Sequence, residues 1–128
     1  MTRTELIART AQLIDEGVRL EANPSLGALR TWLKLSDDLL STAWGSMDRY
    51  HLSWLQVGRP TSIVRGRPMR DDEAAAYVRE VATAKTAVLR MSLDAVDRLR
   101  MPFVGETDEP GTGPARGLSE SNRGRSAP

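Results

Sequence analysis

Apolar side chains recur every three or four residues through most of the first hundred residues of the chain. This spacing places them on one face of an α-helix, whereas a half-buried strand would alternate apolar and polar residues. The pattern breaks only at short segments that contain glycine, proline or serine. We therefore expect an all-α fold built from a few amphipathic helices.

The first two helices are marked by their capping residues. Thr2 and Glu5 have the spacing of a capping box, which predicts a first helix over about 3–21. Ser25 follows a proline and can accept a free backbone N–H, so it begins the second helix. The second helix is apolar on more than one side, which is typical of a central helix in a bundle. The apolar positions are Leu6, Ile7, Leu13, Ile14, Val18 and Leu20 in the first helix, and Leu26, Leu29, Trp32, Leu33, Leu35, Leu39, Leu40 and Trp44 in the second.

Gly45 and Ser46 separate the second helix from a third, shorter one. Glycine suits the left-handed position after a helix, and Ser46 can cap the next helix. We place the third helix from Met47 to about Val57. Its core-facing residues are Met47, Tyr50, Trp54 and either Leu55 or His51. If Gly45 is tolerated inside a helix, the second and third helices form one bent rod.

The last helix follows a loop that contains several arginines. Residues 61–64 hold two consecutive β-branched residues, but an isolated strand has no partner, so 58–70 is predicted to be a loop. Asp71 is expected to cap the last helix, and Arg98 and Arg100 to complement its dipole in the final turn. The helix should end before Pro102. Its apolar positions are Ala74, Tyr77, Val81, Ala84, Val88, Met91, Ala95 and Leu99.

These segments predict a four-helix antiparallel bundle, because short connections make consecutive helices neighbours. The bundle domain is expected over residues 1–104. Residues 105–128 are rich in glycine, proline and serine and have only Leu118 as a sizeable apolar side chain. Such a segment cannot bury enough surface to offset the entropy of ordering it, so it is predicted to be a disordered tail.

Composition excludes several classes of protein. The chain has no cysteine and one histidine, which excludes disulfide scaffolds, zinc ribbons and cysteine nucleophiles and leaves few transition-metal sites. The net charge of +1 is unlike that of a strongly basic nucleic-acid-binding domain. No apolar run approaches the length of about 20 residues that a membrane span needs, and no secretory signal is evident. We expect a cytoplasmic protein without a cofactor.

Residues that could carry out catalysis are few. His51 is the one side chain suited to acid–base chemistry near neutral pH, but a lone histidine at helical spacing is more often packed or exposed. The carboxylates occur as neighbours in sequence, such as Asp37 and Asp38, which diverge on a helix and do not converge on a metal. No phosphate-binding loop, nucleophile elbow or dinucleotide-binding glycine pattern is present. The chain is therefore not expected to be an enzyme.

Two features are candidate binding sites. Arg59, Arg65, Arg67 and Arg70 lie in one glycine-containing loop, and their guanidinium groups could receive a phosphate or a partner's carboxylates. The acidic run 71–73 follows at once and offers local ion pairing as the alternative. The three tryptophans could form a stacking platform, but their spacing favours the core, and Trp44 and Trp54 follow the core rhythm. Trp32 is the candidate for an exposed anchor for a partner.

Several short motifs together resemble a known group of helical regions. The motifs are 13–17 (Leu-Ile-Asp-Glu-Gly), Trp32, 44–46 (Trp-Gly-Ser), Tyr50, Trp54 and a late helix opening near Tyr77. They resemble the helical region that accompanies effector domains in bacterial anti-phage and abortive-infection proteins. The resemblance covers about residues 5–95 and implies a sensing or assembly module whose active domain lies elsewhere. It carries over no catalytic residue.

The favoured function is a non-enzymatic protein-binding or oligomerisation module, in a bacterial defence or regulatory assembly. Excess apolar width on the second and fourth helices indicates that one face is covered by another subunit, so a homo-oligomer is expected. The alternative is a nucleic-acid or nucleotide-phosphate binder that uses the arginine loop. Salt dependence separates the two, because phosphate contacts weaken steeply with added salt.

Overall fold

A computed structural model describes residues 1–59 and 66–109 of the chain. Four helices account for most of this part, which confirms the predicted all-α class. They are α1 (Arg3–Ala22), α2 (Leu26–Trp44), α3 (Arg49–Gln56) and α4 (Asp71–Asp97). None of these four helices combines the length and the apolar character needed to cross a membrane.

The predicted caps of α1 and α2 are confirmed. Thr2 Oγ1 accepts the backbone N–H of Glu5 at 3.1 Å, and the Glu5 carboxylate accepts the N–H of Thr2 at 2.8 Å. These two bonds form the capping box and hold the pKa of Glu5 below its usual value. Ser25 Oγ accepts the N–H of Ala28 at 3.3 Å, and α2 ends at Gly45, whose φ is 97°.

The third helix begins later than predicted. Its N-cap is Asp48, not Ser46, and it spans only 49–56. Met47 has a φ of 63°, a left-handed conformation, and it lies between α2 and α3, outside both helices. The break at Gly45 therefore separates α2 from α3, and the alternative of one bent rod is wrong.

The fourth helix differs from its prediction at both ends. Arg70 occupies the N-cap position, and Asp71 is the first helical residue. At the other end the helix stops at Asp97, because Arg100 adopts a φ of 55° and Met101 N–H donates to the carbonyl of Ala95 across the turn. The prediction that Arg98 and Arg100 lie in the last turn is therefore wrong.

The four helices form the predicted antiparallel bundle. The start of α1 contacts the end of α4, since Arg3 donates to the carbonyl of Val96 at 2.7 Å. The end of α2 also meets the end of α4, where Trp44 Nε1 donates to Ser92 Oγ at 2.8 Å. Helices α1 and α2 therefore run antiparallel, as do α1 and α4, whereas α2 runs parallel to α4 on the diagonal.

The core contains buried side chains from all four helices and from Phe103. On α2 the buried stripe runs through positions 29, 32, 36, 39, 40, 43 and 44. Six apolar residues predicted to face the core are instead exposed. These are Val18, Leu26, Leu35, Met47, Met91 and Leu99.

Helices α1 and α4 approach each other closely at Gly17. A Cβ built at this position would lie 2.1 Å from Thr86 Oγ1 on α4 and 2.9 Å from the Trp32 ring on α2. No side chain larger than hydrogen fits there without movement of buried neighbours. Glycine weakens a helix by about 1 kcal/mol relative to alanine, and here it makes room for the side chains of Thr86 and Trp32.

The chain remains packed against the bundle beyond the predicted domain boundary at residue 104. Val104 N–H donates to the carbonyl of Ala43 at 2.8 Å, and Thr107 forms an isolated parallel bridge with Thr2. Arg3 also pairs with the Glu106 carboxylate at 3.0 and 2.8 Å. The prediction of a tail from residue 105 is therefore wrong for 105–109, and its remainder, 110–128, lies outside the described residues.

Candidate functional site

The predicted arginine loop does not form a single anion site in the described part of the chain. Arg67 makes two hydrogen bonds of 2.8 Å to the carboxylate of Glu73. This fork-to-fork contact raises the pKa of Arg67, and it lowers the pKa of Glu73 to about 2 with help from the Arg70 backbone N–H. Local ion pairing, the alternative that the neighbouring acidic run suggested, is what the structure shows at Arg67.

The other three arginines are distributed along the loop. Arg70 contacts Asp72 at 3.4 Å and Glu73 at 3.7 Å, so its charge is also partly compensated. Arg59 donates to the carbonyl of Leu55, at 3.5 Å. Arg65 lies outside the described residues. The guanidinium groups of Arg67 and Arg70 therefore meet at the Glu73 carboxylate of their own chain, whereas Arg59 contacts the end of α3.

Trp32 is buried, and its prediction as an exposed anchor is wrong. Its side chain is 2% exposed, and its indole Nε1 donates to the carbonyl of Leu13 at 2.8 Å. The ring lies beside Gly17, where the absence of a side chain on α1 makes room for it. Trp32 thus joins α2 to α1, and only its edge reaches the surface groove described below.

His51 is a structural residue that joins α2 to α3. Its Nδ1 accepts the backbone N–H of Met47 at 2.8 Å, and its Nε2 lies 2.6 Å from Asp37 Oδ1. Because Nδ1 accepts, the proton is on Nε2 and is donated to the Asp37 carboxylate. Both ring nitrogens are therefore engaged in contacts within the fold.

Lys85 is a buried charged residue that the sequence analysis did not identify. Its Nζ donates to the carbonyl of Trp54 and lies 4.0 Å from the centroid of the Trp54 ring. That carbonyl is in the last turn of α3, where no intrahelical partner is available, so α4 caps α3 through this lysine. Burial and the nearby charge of Arg59 lower the pKa of Lys85 to about 8, and Asp37 opposes the shift.

No group of three or more metal-ligating side chains occurs within residues 1–59 and 66–109. Asp37, His51 and Lys85 lie around the α2–α3–α4 junction, where the His51–Asp37 contact joins α3 to α2 and the Lys85–Trp54 contact joins α4 to α3. This cluster therefore stabilises the position of the short helix α3.

A surface recess lies between α1 and α2. We call it the α1–α2 groove and define it by two sections that share Glu16. The first section has a volume of about 290 Å³, and its lining includes Arg9, Gln12, Leu13, Glu16, Leu35 and Leu39. The second has a volume of about 480 Å³, and its lining includes Glu16, Arg19, Leu20, Ala28, Thr31 and Trp32.

The groove combines an apolar floor with a charged rim. Leu13 and Leu39 are core residues whose edges form the floor, whereas Leu35 is 48% exposed. Exposed charges of both signs surround them, with Arg9 on α1 and Asp38 on α2. An apolar patch rimmed by polar groups is typical of a protein interaction surface.

The sequence pattern contained a signal for this groove. Leu35 was assigned to the widened apolar face of α2, and the excess apolar width led to the expectation of a covering subunit. Helical spacing alone could not show that the exposed Leu35 faces α1 and not α3.

A scan against protein-family models finds no matching family, and searches of curated proteins and of solved structures return no match.

Proposed function

We propose that this chain is a non-enzymatic protein-binding or oligomerisation module that acts through the α1–α2 groove, in the cytoplasm. The observation that carries the proposal is the exposure of Leu35 above an apolar floor in an otherwise well-packed bundle. Covering this leucine with a partner would remove apolar surface from water, at about 25 cal/mol for each Å². A role in a bacterial defence or regulatory assembly, which the resemblance implies, stays a prediction.

Two further observations favour binding over catalysis. The single histidine uses both ring nitrogens in contacts within the fold, one with the backbone before α3 and one with Asp37 on α2. The buried Lys85 is engaged with a backbone carbonyl and an aromatic ring of the same fold. In both cases the residue types suited to catalysis stabilise the bundle.

The alternative, a phosphate or nucleic-acid binder, has weaker support. A phosphate site would need several arginines that act together, but the carboxylates of Asp72 and Glu73 already pair with Arg67 and Arg70. An anionic ligand would have to displace these carboxylates before it could bind. A chain that carries nucleic acid and sheds it in added salt would restore this alternative.

Sedimentation velocity on three proteins tests the proposal. Wild type should self-associate with rising concentration, Leu35→Lys should remain a monomer, and Met91→Lys should behave as wild type. Met91 is the matched control, because it is 53% exposed on α4 and introduces the same charge. Equal loss of association in both lysine variants, or a strict wild-type monomer at about 1 mM, would contradict oligomerisation through this groove.

A further inference from the structure

The α1 side of the groove presents two opposite charges on one helix face. Arg9 and Glu16 both line its first section. They are seven residues apart, which is two helical turns or about 10 Å along the axis. Neither side chain makes a hydrogen bond or salt bridge with another residue in 1–59 or 66–109, and the charge of Arg9 acts on Glu5 one turn away on the same helix. Gln12 and Leu13 lie midway between them and line the same section.

We propose that the occupant of the α1–α2 groove is a second copy of this chain, bound about a two-fold axis that passes beside Gln12 and Leu13. The proposal rests on the proposed function and specifies its partner and geometry. The two α1 helices run antiparallel across the axis. Arg9 of each copy then faces Glu16 of the other, so one contact surface supplies two identical ion pairs.

The charge pattern selects this orientation. A two-fold interface brings the same surface of both copies together, so the surface must be complementary to itself. Antiparallel helices place position 9 opposite position 16 when the axis lies midway between them. Parallel helices would place arginine opposite arginine and glutamate opposite glutamate, and such like-charge contacts disfavour association.

The apolar part of the groove fits the same arrangement. Leu35 lines the section that holds Gln12 and Leu13, so it lies near the proposed axis. The exposed leucine side chains of the two copies would therefore be buried together at the centre of the interface. The ion pairs lie on either side of this centre, as polar rims do around the apolar centres of protein interfaces.

Charge reversal tests the geometry by sedimentation equilibrium. Arg9→Glu or Glu16→Arg alone turns both attractive pairs into repulsive ones, and the dimer Kd should rise about tenfold or more. An equimolar mixture of these two variants restores opposite charges at both pairs, so a heterodimer should form with a Kd within about threefold of wild type. Arg30→Glu is the matched control, since Arg30 is exposed on α2 and the substitution makes the same change in net charge. This control should leave the Kd unchanged.

A second measurement uses the absence of cysteine from the chain. Gln12→Cys places one thiol beside the axis in each copy, and mild oxidation should give a disulfide-linked dimer. Met91→Cys, on α4, should remain a monomer under the same conditions. Circular dichroism of every variant should match wild type, because all the altered side chains are exposed or at the rim.

The outcomes separate this proposal from the proposed function. A wild-type dimer that depends on Leu35 but is insensitive to both charge reversals would overturn the two-fold geometry and leave the groove as the interface. A wild-type chain that stays monomeric would overturn both self-association and this geometry. Weakened single variants that are not rescued by mixing would also overturn the proposed pairing between copies.

Discussion

Helix α1 packs against α4 and against α2 in two different ways. Against α4 it is closely packed, with Gly17 beside Thr86 and hydrogen bonds near both ends of the contact. Against α2 it leaves a groove, which the Trp32 ring and its bond to Leu13 only partly fill. The comparison shows how one helix can stabilise a fold on one side and present a binding surface on the other.

The largest effect should separate buried from groove-lining leucines. Leu89→Ala removes a fully buried side chain of α4 and should lower the free energy of unfolding by about 2–5 kcal/mol. Leu35→Ala removes a half-exposed one and should change it by less than about 0.5 kcal/mol. Urea unfolding of dilute protein measures both. Equal losses in the two variants would mean that Leu35 belongs to the core and that the groove is not a surface.

Glycine substitutions should also distinguish the close α1–α4 contact from the more open α2 surface. Gly17→Ala forces a methyl group against Thr86 and Trp32, and should cost about 1–3 kcal/mol of stability. Gly27→Ala, on α2, meets nothing within 4 Å and should be neutral or stabilise by up to about 1 kcal/mol. Thermal unfolding of the two variants compares them directly. If both substitutions stabilised the protein, the close approach of α1 and α4 would be refuted.

The α3–α4 contact should differ from both α1 contacts in its dependence on pH. The pKa of Lys85 is about 8 in the folded chain against an ordinary value of 10.5. Between these values the unfolded state binds more protons, so stability should rise with pH, by at most about 1.4 kcal/mol per pH unit. Lys85→Met should lack this rise. Urea unfolding of wild type and of Lys85→Met over a range of pH measures both stabilities, and their difference gives the contribution of Lys85. A parallel pH dependence in both proteins would contradict the burial of a charged Lys85.

The smallest effect is expected at the arginine loop, which is distant from the bundle core. Arg67→Ala should raise the pKa of Glu73 from about 2 toward its ordinary 4.5, because the bidentate hydrogen bonds are lost. Arg70→Ala should raise it less, since the Arg70 backbone N–H still donates to Glu73. Carbon-13 NMR titration of the carboxyl group measures both shifts. An unchanged Glu73 pKa in Arg67→Ala would mean that the ion pair does not form.

Local sequence signals predicted most of the fold. The capping residues Thr2 and Ser25 and the apolar spacing located two helices to within about a residue, since both signals act over one or two turns. The left-handed conformations of Met47 and Arg100 were not predicted, because neither residue type favours a positive φ. They moved the start of α3 and the end of α4.

The candidate site was predicted less well, because it depends on contacts between distant segments. Trp32 looked like an anchor until the space above Gly17 on another helix was seen to accommodate its ring. Arg3 gave no sequence signal for its bonds to Val96, Met101 and Glu106, which attach residues 105–109 to the bundle. Likewise, the partnership of His51 with Asp37 spans two helices.

A dilution series followed by methyl NMR tests the central claim most directly. The methyl resonances of Leu35 and Leu39, in the groove, should shift or broaden as the concentration rises, whereas the exposed Met91 and Leu99 should not respond. That result would place self-association on the α1–α2 groove. Shifts confined to Met91 and Leu99, with Leu35 and Leu39 unchanged at every concentration, would contradict the account.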